Sequence, residues 1–524
     1  MFHNLKENPP TRAELLCLAA LTLAAACARF YRLDRQSLWF DEICSWHTAI
    51  HDSLIDVALA DRDWNMYPPG YGILLHFITR FAGDSEWTLR APSAFARTIA
   101  VPLLFLIGWR LYGRKEGLIA AGFAAFAIFS VYFAQEARPY SLLYVSVLAA
   151  VFAWTYVIDA WSLQRGAPSW ALTLYFLASC ACNYLHYFGV LFTFLSGIVS
   201  FALLIRKPAR LSRALGLYGA LALAYTPWLP SMWRHFRNQD AGPQNPPVDS
   251  DIFTAFYDFI SSAFNHGQTG TPLAHVITVA ALLLYALVLG HTIFALARLP
   301  ASSANRNALV ARLFLMTAWL LLPFLFAYTK SVFSASIFTH RNLSISLPAI
   351  YLLAARGITR LPLPSPATAA VGAVVVCASL LRLLTSGYYT APHKDQFREA
   401  VQYVVGREQQ HPNAELIVYS HLPFTFDYYL TRFGSTRTPA LQAGREDDIE
   451  KVRAFVAERN PESIWYLCSE PYPENAFVDF LNRDFYVIDM QQFLRVHVLL
   501  LVPKQTGTKP PSSLGPADER SGST

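Results

Sequence analysis

Eleven apolar runs punctuate the chain, at residues 14–31, 97–112, 117–134, 141–160, 169–185, 187–205, 214–232, 273–297, 312–329, 342–358 and 367–386. Each approaches the ~20 residues needed to cross a hydrocarbon core, so the pattern predicts an all-α polytopic membrane protein with about eleven transmembrane helices. Around His186 the apolar stretch is too long for one helix and leaves room for only a tight turn between two. Between the first two runs, residues 32–96 are too polar to cross and too aromatic for a slack linker, with Trp46, Trp64, Tyr67, Tyr71, Phe77, Phe81 and Trp87. That composition fits amphipathic helices lying at an interface. Within it, Tyr67-Pro68-Pro69-Gly70-Tyr71 predicts a turn, because Pro69 keeps Pro68 out of the helical region.

After Ser386 the pattern turns to mixed charged and apolar residues. Asp395 is placed to cap a helix through Gln410, 447–459 reads as a second helix, and 416–419, 464–467 and 496–501 read as strands. The division expected is a membrane domain over 1–387, a small extracytoplasmic α/β domain over 388–504, and a disordered tail over 505–524 rich in Pro, Gly, Ser and Thr.

Composition agrees: 54% of residues are hydrophobic and 15% charged, with a mean hydropathy of +0.29. The net charge of +6 is spread between the apolar runs, which excludes a nucleic-acid partner. Arg114-Lys115, Arg165, the group Arg206, Lys207, Arg210 and Arg213, then Arg298 with Arg306, and Arg356 with Arg360 all fall on one side if the runs alternate. That side is read as cytoplasmic, with the N-terminus inside and the C-terminal domain periplasmic or extracellular. Arg29 and Arg32 stand where a signal peptide would carry small residues, so the first run reads as a retained span. Five of the seven cysteines, Cys17, Cys27, Cys180, Cys182 and Cys377, lie in apolar runs and outline no disulfide or zinc framework.

Polar clusters collect on the side opposite the basic loops. Ser37-Leu-Trp-Phe-Asp41-Glu42-Ile-Cys-Ser-Trp46-His47 sets two carboxylates side by side just beyond the first span. Glu136-Ala-Arg138-Pro-Tyr140 follows the third, Asn183-Tyr184-Leu-His186-Tyr187 sits at the tight turn, and Lys330, His340, Arg341 and Asn342 bracket the loop after the ninth. Each has a structural reading. Asp41 and Glu42 suit the first turn of a surface helix, Glu136 and Arg138 a salt bridge, His186 a backbone carbonyl, and Arg341 a lipid headgroup. A shared location for carboxylates and cations also suits transfer from a phosphorylated donor, the base activating a nucleophile and the cations holding the leaving phosphate.

The ordered set Ser37–His47, Tyr67-Pro-Pro-Gly-Tyr-Gly-Ile-Leu-Leu-His76, Gly83-Asp-Ser-Glu-Trp-Thr-Leu-Arg90, Gln135-Glu-Ala-Arg-Pro-Tyr140 and Arg341-Asn-Leu-Ser-Ile-Ser-Leu-Pro348 resembles the bacterial branch of glycosyltransferase family 39. That branch is similar to protein mannosyltransferases and lipid A aminoarabinose transferases, and the likeness spans residues 10–390. It implies a GT-C-like bundle with its active site at the outer face of the inner membrane. It also implies a polyprenyl-phosphate sugar donor, inversion at the anomeric carbon, and a glycan, lipid or protein acceptor. By that resemblance Asp41 is the general base, Glu42 a partner for the acceptor or a metal, and Glu136 the second acidic position. Arg138, Lys330, His340 and Arg341 are candidates for the donor phosphate, and Tyr67, Tyr140, His186 and Tyr187 for substrate contact. Tyr67 departs from the histidine often found before the two prolines. A divalent cation on Asp41, Glu42, Glu136 and His186 is left open, since no ligand spacing is diagnostic. A transporter or flippase of lipid-linked saccharides is the main rival, but the chain has no paired halves with matching broken spans. A polysaccharide ligase would not need the Asp-Glu loop, and a membrane scaffold would not need the clustered charges.

Overall fold

The computed structural model describes residues 9–60, 67–239, 251–266, 270–300, 304–333 and 336–504. Trp64 and the tail 505–524 lie outside the described residues. The chain divides into two compact units: the first comprises residues 1–33 and 48–389, the second residues 34–47 and 390–524.

In chain order the helices are α1 (Arg12–Phe30), α2 (Phe40–Ala49), α3 (Leu54–Leu59), α4 (Gly70–Ala82), α5 (Glu86–Leu111), α6 (Arg114–Phe126), α7 (Ile128–Ala134), α8 (Tyr140–Ser162) and α9 (Ser169–Leu185). They continue with α10 (Tyr187–Leu204), α11 (Pro208–Tyr225), α12 (Leu229–Gln239), α13 (Ile252–Asn265), α14 (Pro272–Arg298), α15 (Ala304–Phe333), α16 (Leu347–Thr359) and α17 (Ser365–Thr385). Local sequence explains many starts. Thr11 and Glu14 form a reciprocal capping box at α1, and Ser85 caps α5 through the Thr88 amide. Pro139 precedes α8, where its missing N–H costs nothing.

All eleven apolar runs fall on helices, but not all are spans by length. Among the described residues seven helices, α1, α5, α8, α10, α14, α15 and α17, are long and apolar enough to cross a membrane. An eighth span is available from α6 and α7 together, which are bent by 56°. The other three runs fall on α9, α11 and α16, of 17, 18 and 13 residues. A helix the length of α16 rises only ~20 Å against a ~30 Å core, and α11 carries Arg210 and Arg213 near its start. By length and composition alone, seven to eight spans qualify among the described residues, which leaves the expected number of about eleven unconfirmed. The first unit is a multi-pass membrane bundle.

One boundary moved for an identifiable reason. The second run was expected to begin at 97, yet α5 begins at Glu86. Arg90 and Arg97 look like surface residues in the sequence, but both are fully buried. Arg90 Nη1 donates to Leu33 O at 2.9 Å, and Arg97 Cζ lies 3.9 Å from the Tyr144 ring centroid.

The second unit carries a five-stranded sheet, β1 (Glu415–Tyr419), β2 (Leu441–Gln442), β3 (Ile464–Ser469), β4 (Phe485–Phe493) and β5 (Val496–Pro503), in the order β2-β1-β3-β5-β4. β1 runs parallel to β2 and β3, and β5 is antiparallel to both β3 and β4. Helices α18 (Phe397–Val405), α19 (Asp427–Arg432), α20 (Ile449–Arg459) and α21 (Asn475–Asp484) complete it. β3 is buried along its whole length, as a central strand should be. The edge strand β4 was not foreseen because Asp489, Gln491 and Gln492 give it a polar pattern. Asp395 does not cap α18, which starts after Gln396 and stops at Val405. Its carboxylate instead accepts from the Phe40 amide at 3.4 Å and from Arg495 at 3.3 Å.

Candidate functional site

In the first unit the turns at one end of the bundle gather most of the residues singled out in the sequence. Tyr67 Oη and Tyr140 Oη are 3.3 Å apart. The His186 ring lies 5.1 Å from that of Tyr67 and 5.5 Å from that of Tyr140, centroid to centroid. Arg138 sits over Tyr67 with Cζ 4.8 Å from the ring centre, and Arg341 lies 5.9 Å from the centre of Tyr140. Four segments distant in sequence thus place two guanidinium groups around a Tyr-His-Tyr cluster.

Gly70 makes this approach possible. A Cβ there would stand 2.6 Å from Tyr184 O, so the Pro-Pro-Gly turn can lie against the end of α9 only without a side chain. Tyr67 is thereby delivered to His186. His186 occupies the extended residue between α9 and α10 and is almost fully buried. Its Nδ1 accepts from the Phe188 amide at 3.1 Å, and its Nε2 has no hydrogen-bond partner among the described residues. Burial, followed by the charges of Arg138 and Arg341, pushes its pKa down to about 3. The ring is therefore neutral, and with Nδ1 accepting, its proton is on Nε2.

Beside this cluster opens a cavity of about 570 Å³, lined at its polar end by Tyr67, His186, Tyr187, Lys330 and Asn342. Its remaining walls are apolar, with Phe188, Phe194, Met232, Phe236 and Phe326 among them. The Tyr187 hydroxyl is bonded to His235 Nδ1 and receives Trp228 Nε1 at 3.4 Å. Asn342 is held by Nδ2 donating to Ile337 O at 2.9 Å. An apolar cavity with a cationic and hydroxyl-bearing mouth is complementary to an amphiphile with an anionic head.

Glu136 lies in the same turn as Arg138 and is 2% exposed. His340 is half-buried and is not among the residues lining the cavity. Burial lowers its pKa, against the opposing charge of Asp258.

Asp41 and Glu42 belong to the second unit, in the first turn of α2. Glu42 is fully buried and its Oε2 accepts from Lys394 Nζ at 3.1 Å. The same oxygen faces the Trp39 amide at 3.3 Å. The surrounding stretch is pinned by Leu38 N donating to Tyr429 Oη at 2.7 Å and Arg398 N donating to Ser37 Oγ at 3.1 Å. His47 stacks on Phe424 with ring centres 3.7 Å apart. Asp41 is half-buried, one residue along from this anchor. Tyr428 and Tyr429, which suit sugar contacts by residue type, are buried, and their hydroxyls accept from Arg432 at 3.2 Å and from Leu38 N respectively. Lys394, absent from the sequence-based candidates, has no motif around it; only its partner reveals it.

No three His, Cys, Asp or Glu side chains converge as a metal would need among the described residues, and Asp41, Glu42, Glu136 and His186 form no such group.

Residues 66–233 match the family model described as dolichyl-phosphate-mannose-protein mannosyltransferase. None of the curated proteins compared with the chain matches it. Among solved structures, ArnT from Cupriavidus metallidurans in the apo state aligns with a TM-score of 0.55 at 14% identity, over 93% of this chain and 97% of that one. The same protein bound to undecaprenyl phosphate aligns at 0.57 and 14%, over 97% and 100%. The oligosaccharyltransferase AglB from Archaeoglobus fulgidus, in complex with an inhibitory peptide and a dolichol-phosphate, aligns at 0.51 and 10%, over 88% and 70%. The chain therefore has the fold seen in the ArnT and AglB structures.

Proposed function

We propose that this chain is an integral membrane glycosyltransferase that moves a sugar from a polyprenyl-phosphate donor to a hydroxyl or amine of a glycan, lipid or protein. The work is assigned to the outer face of the inner membrane, with the N-terminus cytoplasmic and the C-terminal unit outside. The observation that carries this reading is the apolar cavity whose mouth holds Lys330, His186 and Tyr67 beside Arg138 and Arg341. Its walls suit an isoprenoid chain and its mouth a phosphate.

In the reaction, an acceptor O–H or N–H loses its proton to the Asp41 carboxylate as the acceptor atom bonds to the anomeric carbon. The bond from that carbon to the phosphate oxygen breaks, and the electron pair leaves with the polyprenyl phosphate, so the anomeric configuration inverts. Charge grows on the departing phosphate. Arg138 and Arg341 offer planar donor forks to it, Lys330 a point charge, and neutral His186 an Nε2–H. The choice of Asp41 as base rests on the motif resemblance. Glu42, committed to Lys394, anchors the helix turn that carries Asp41.

The test is transfer of labelled sugar from polyprenyl-phosphate donors to a membrane extract by the purified chain, wild type beside Asp41→Asn. Transfer by wild type with a loss of about a hundredfold or more in the variant supports both the reaction and the base. Equal activity moves the base elsewhere, with Glu136 the next candidate. No transfer from any donor overturns the reaction and favours a carrier of lipid-linked saccharides.

A further inference from the structure

A second cavity lies at the opposite end of the first unit, a helix length of ~30 Å from His186. It has a volume of about 330 Å³ and opens between the C-terminal ends of α14 and α16 and the N-terminal half of α15. Its wall carries Arg312, Arg356, Arg360 and His291, and no carboxylate among the described residues. Carboxylates close to this end are already bonded to arginines. Glu116 accepts from Arg356 at 2.5 Å and from Thr359 Oγ1 at 2.9 Å, and Asp159 accepts from Arg110 at 3.1 Å. Arg360 Nη1 reaches His291 Nε2 at 3.3 Å, while Arg356 also lies 5.1 Å from the Tyr112 ring centre.

Arg110, Arg312, Arg356 and Arg360 gather at this end with Glu116 and Asp159, and three of the four arginines face one cavity. Guanidinium groups converging on one cavity between membrane helices offer several donor forks to an anionic head. Below the arginines the cavity turns apolar, with Val288, Leu313, Met316 and Leu353. On the outside of α14, Leu289, Ile293 and Phe294 are about half exposed, a surface suited to acyl chains.

We propose that this cavity binds the phosphate of an anionic phospholipid, its head on Arg312, Arg356 and Arg360 and its chains along α14. A basic pocket between membrane helices is the arrangement that recognises such heads. The apolar floor and flank favour a lipid over a free phosphate, since a soluble anion would leave them wet. The ligand would tie together the C-terminal ends of α14 and α16 and the N-terminal half of α15, whereas the donor reading uses only the far end of α15, so this site stands or falls without it.

The test uses the full-length chain purified in detergent, with thermal unfolding and native mass spectrometry read in the presence of phosphatidylglycerol, phosphatidylcholine or inorganic phosphate. Wild type is expected to retain phosphatidylglycerol and gain thermal stability from it, with little effect of the other two. Arg312→Gln and Arg360→Gln are each expected to weaken retention on the order of tenfold. Arg360 is the safer position, because it is partly exposed and its substitution leaves the Glu116 pair intact. Equal retention of the two phospholipids, or unchanged phosphatidylglycerol binding in a folded Arg360→Gln variant, overturns the proposal. Stabilisation by inorganic phosphate with none from phosphatidylglycerol overturns the lipid assignment.

Discussion

Lys394 Nζ donates to Glu42 Oε2 at 3.1 Å, and the two side chains are withdrawn from solvent. The pair joins the Asp34–His47 stretch to the chain that re-enters the second unit at residue 390. A buried pair is costly to break by halves, because the surviving charge keeps its desolvation penalty and loses its partner. Lys394→Met or Glu42→Gln alone is expected to cost ~3–5 kcal/mol, and the double variant much less than their sum. Thermal unfolding of the purified chain in a double-mutant cycle measures this; additive losses would remove the pair from the account.

The two guanidinium groups near the cavity mouth lie over tyrosine rings as well as carrying charge. Lysine in place of arginine keeps the charge but loses the planar fork and the ring contact. Arg138→Lys, over Tyr67 at 4.8 Å, and Arg341→Lys, near Tyr140, are each expected to raise the KM for the lipid-linked donor about tenfold, with acceptor KM unchanged. Steady-state kinetics with donor and acceptor varied separately distinguishes this from a general loss of fold.

Gly70 offers a steric test of how the cluster is assembled. A methyl group there meets Tyr184 O at 2.6 Å, an atom of the backbone that cannot rotate away. Gly70→Ala is expected to cost ~1–3 kcal/mol and to pull Tyr67 from His186, weakening donor binding. If unfolding midpoint and donor KM both stay at wild-type values, the close approach at Gly70 does not set the position of Tyr67.

What the sequence revealed and what it hid have the same physical origin. Apolar periodicity marks burial against lipid or protein, and every apolar run became a helix. Length and composition mark seven helices and one bent pair as spans among the described residues, and do not decide whether α9, α11 and α16 also cross. Tyr67, Tyr140, His186, Arg138 and Arg341 were legible because turns at one end of a bundle converge. Lys394, Arg90 and Arg97 were not, since a buried charge is recognisable only through its partner, Glu42, Leu33 O and the Tyr144 ring respectively. Asp395 looked like a helix cap from its position alone, and Phe40 N and Arg495 claimed it instead.

His186 gives a pH dependence with a definite sign. Its folded pKa is pushed from 6.5 to about 3 by burial and then by Arg138 and Arg341. Between those values the unfolded chain binds a proton that the folded chain refuses, so stability rises with pH. The contribution is fully present above pH 6.5 and is lost progressively as pH falls toward 3. His186→Gln keeps an N–H donor and cannot titrate. Its unfolding midpoint is expected to change less than that of wild type between pH 7 and pH 4. Parallel curves for the two proteins would show that His186 is protonated as readily in the folded chain as in the unfolded one, and that the neutral donor assigned to the phosphate is not there.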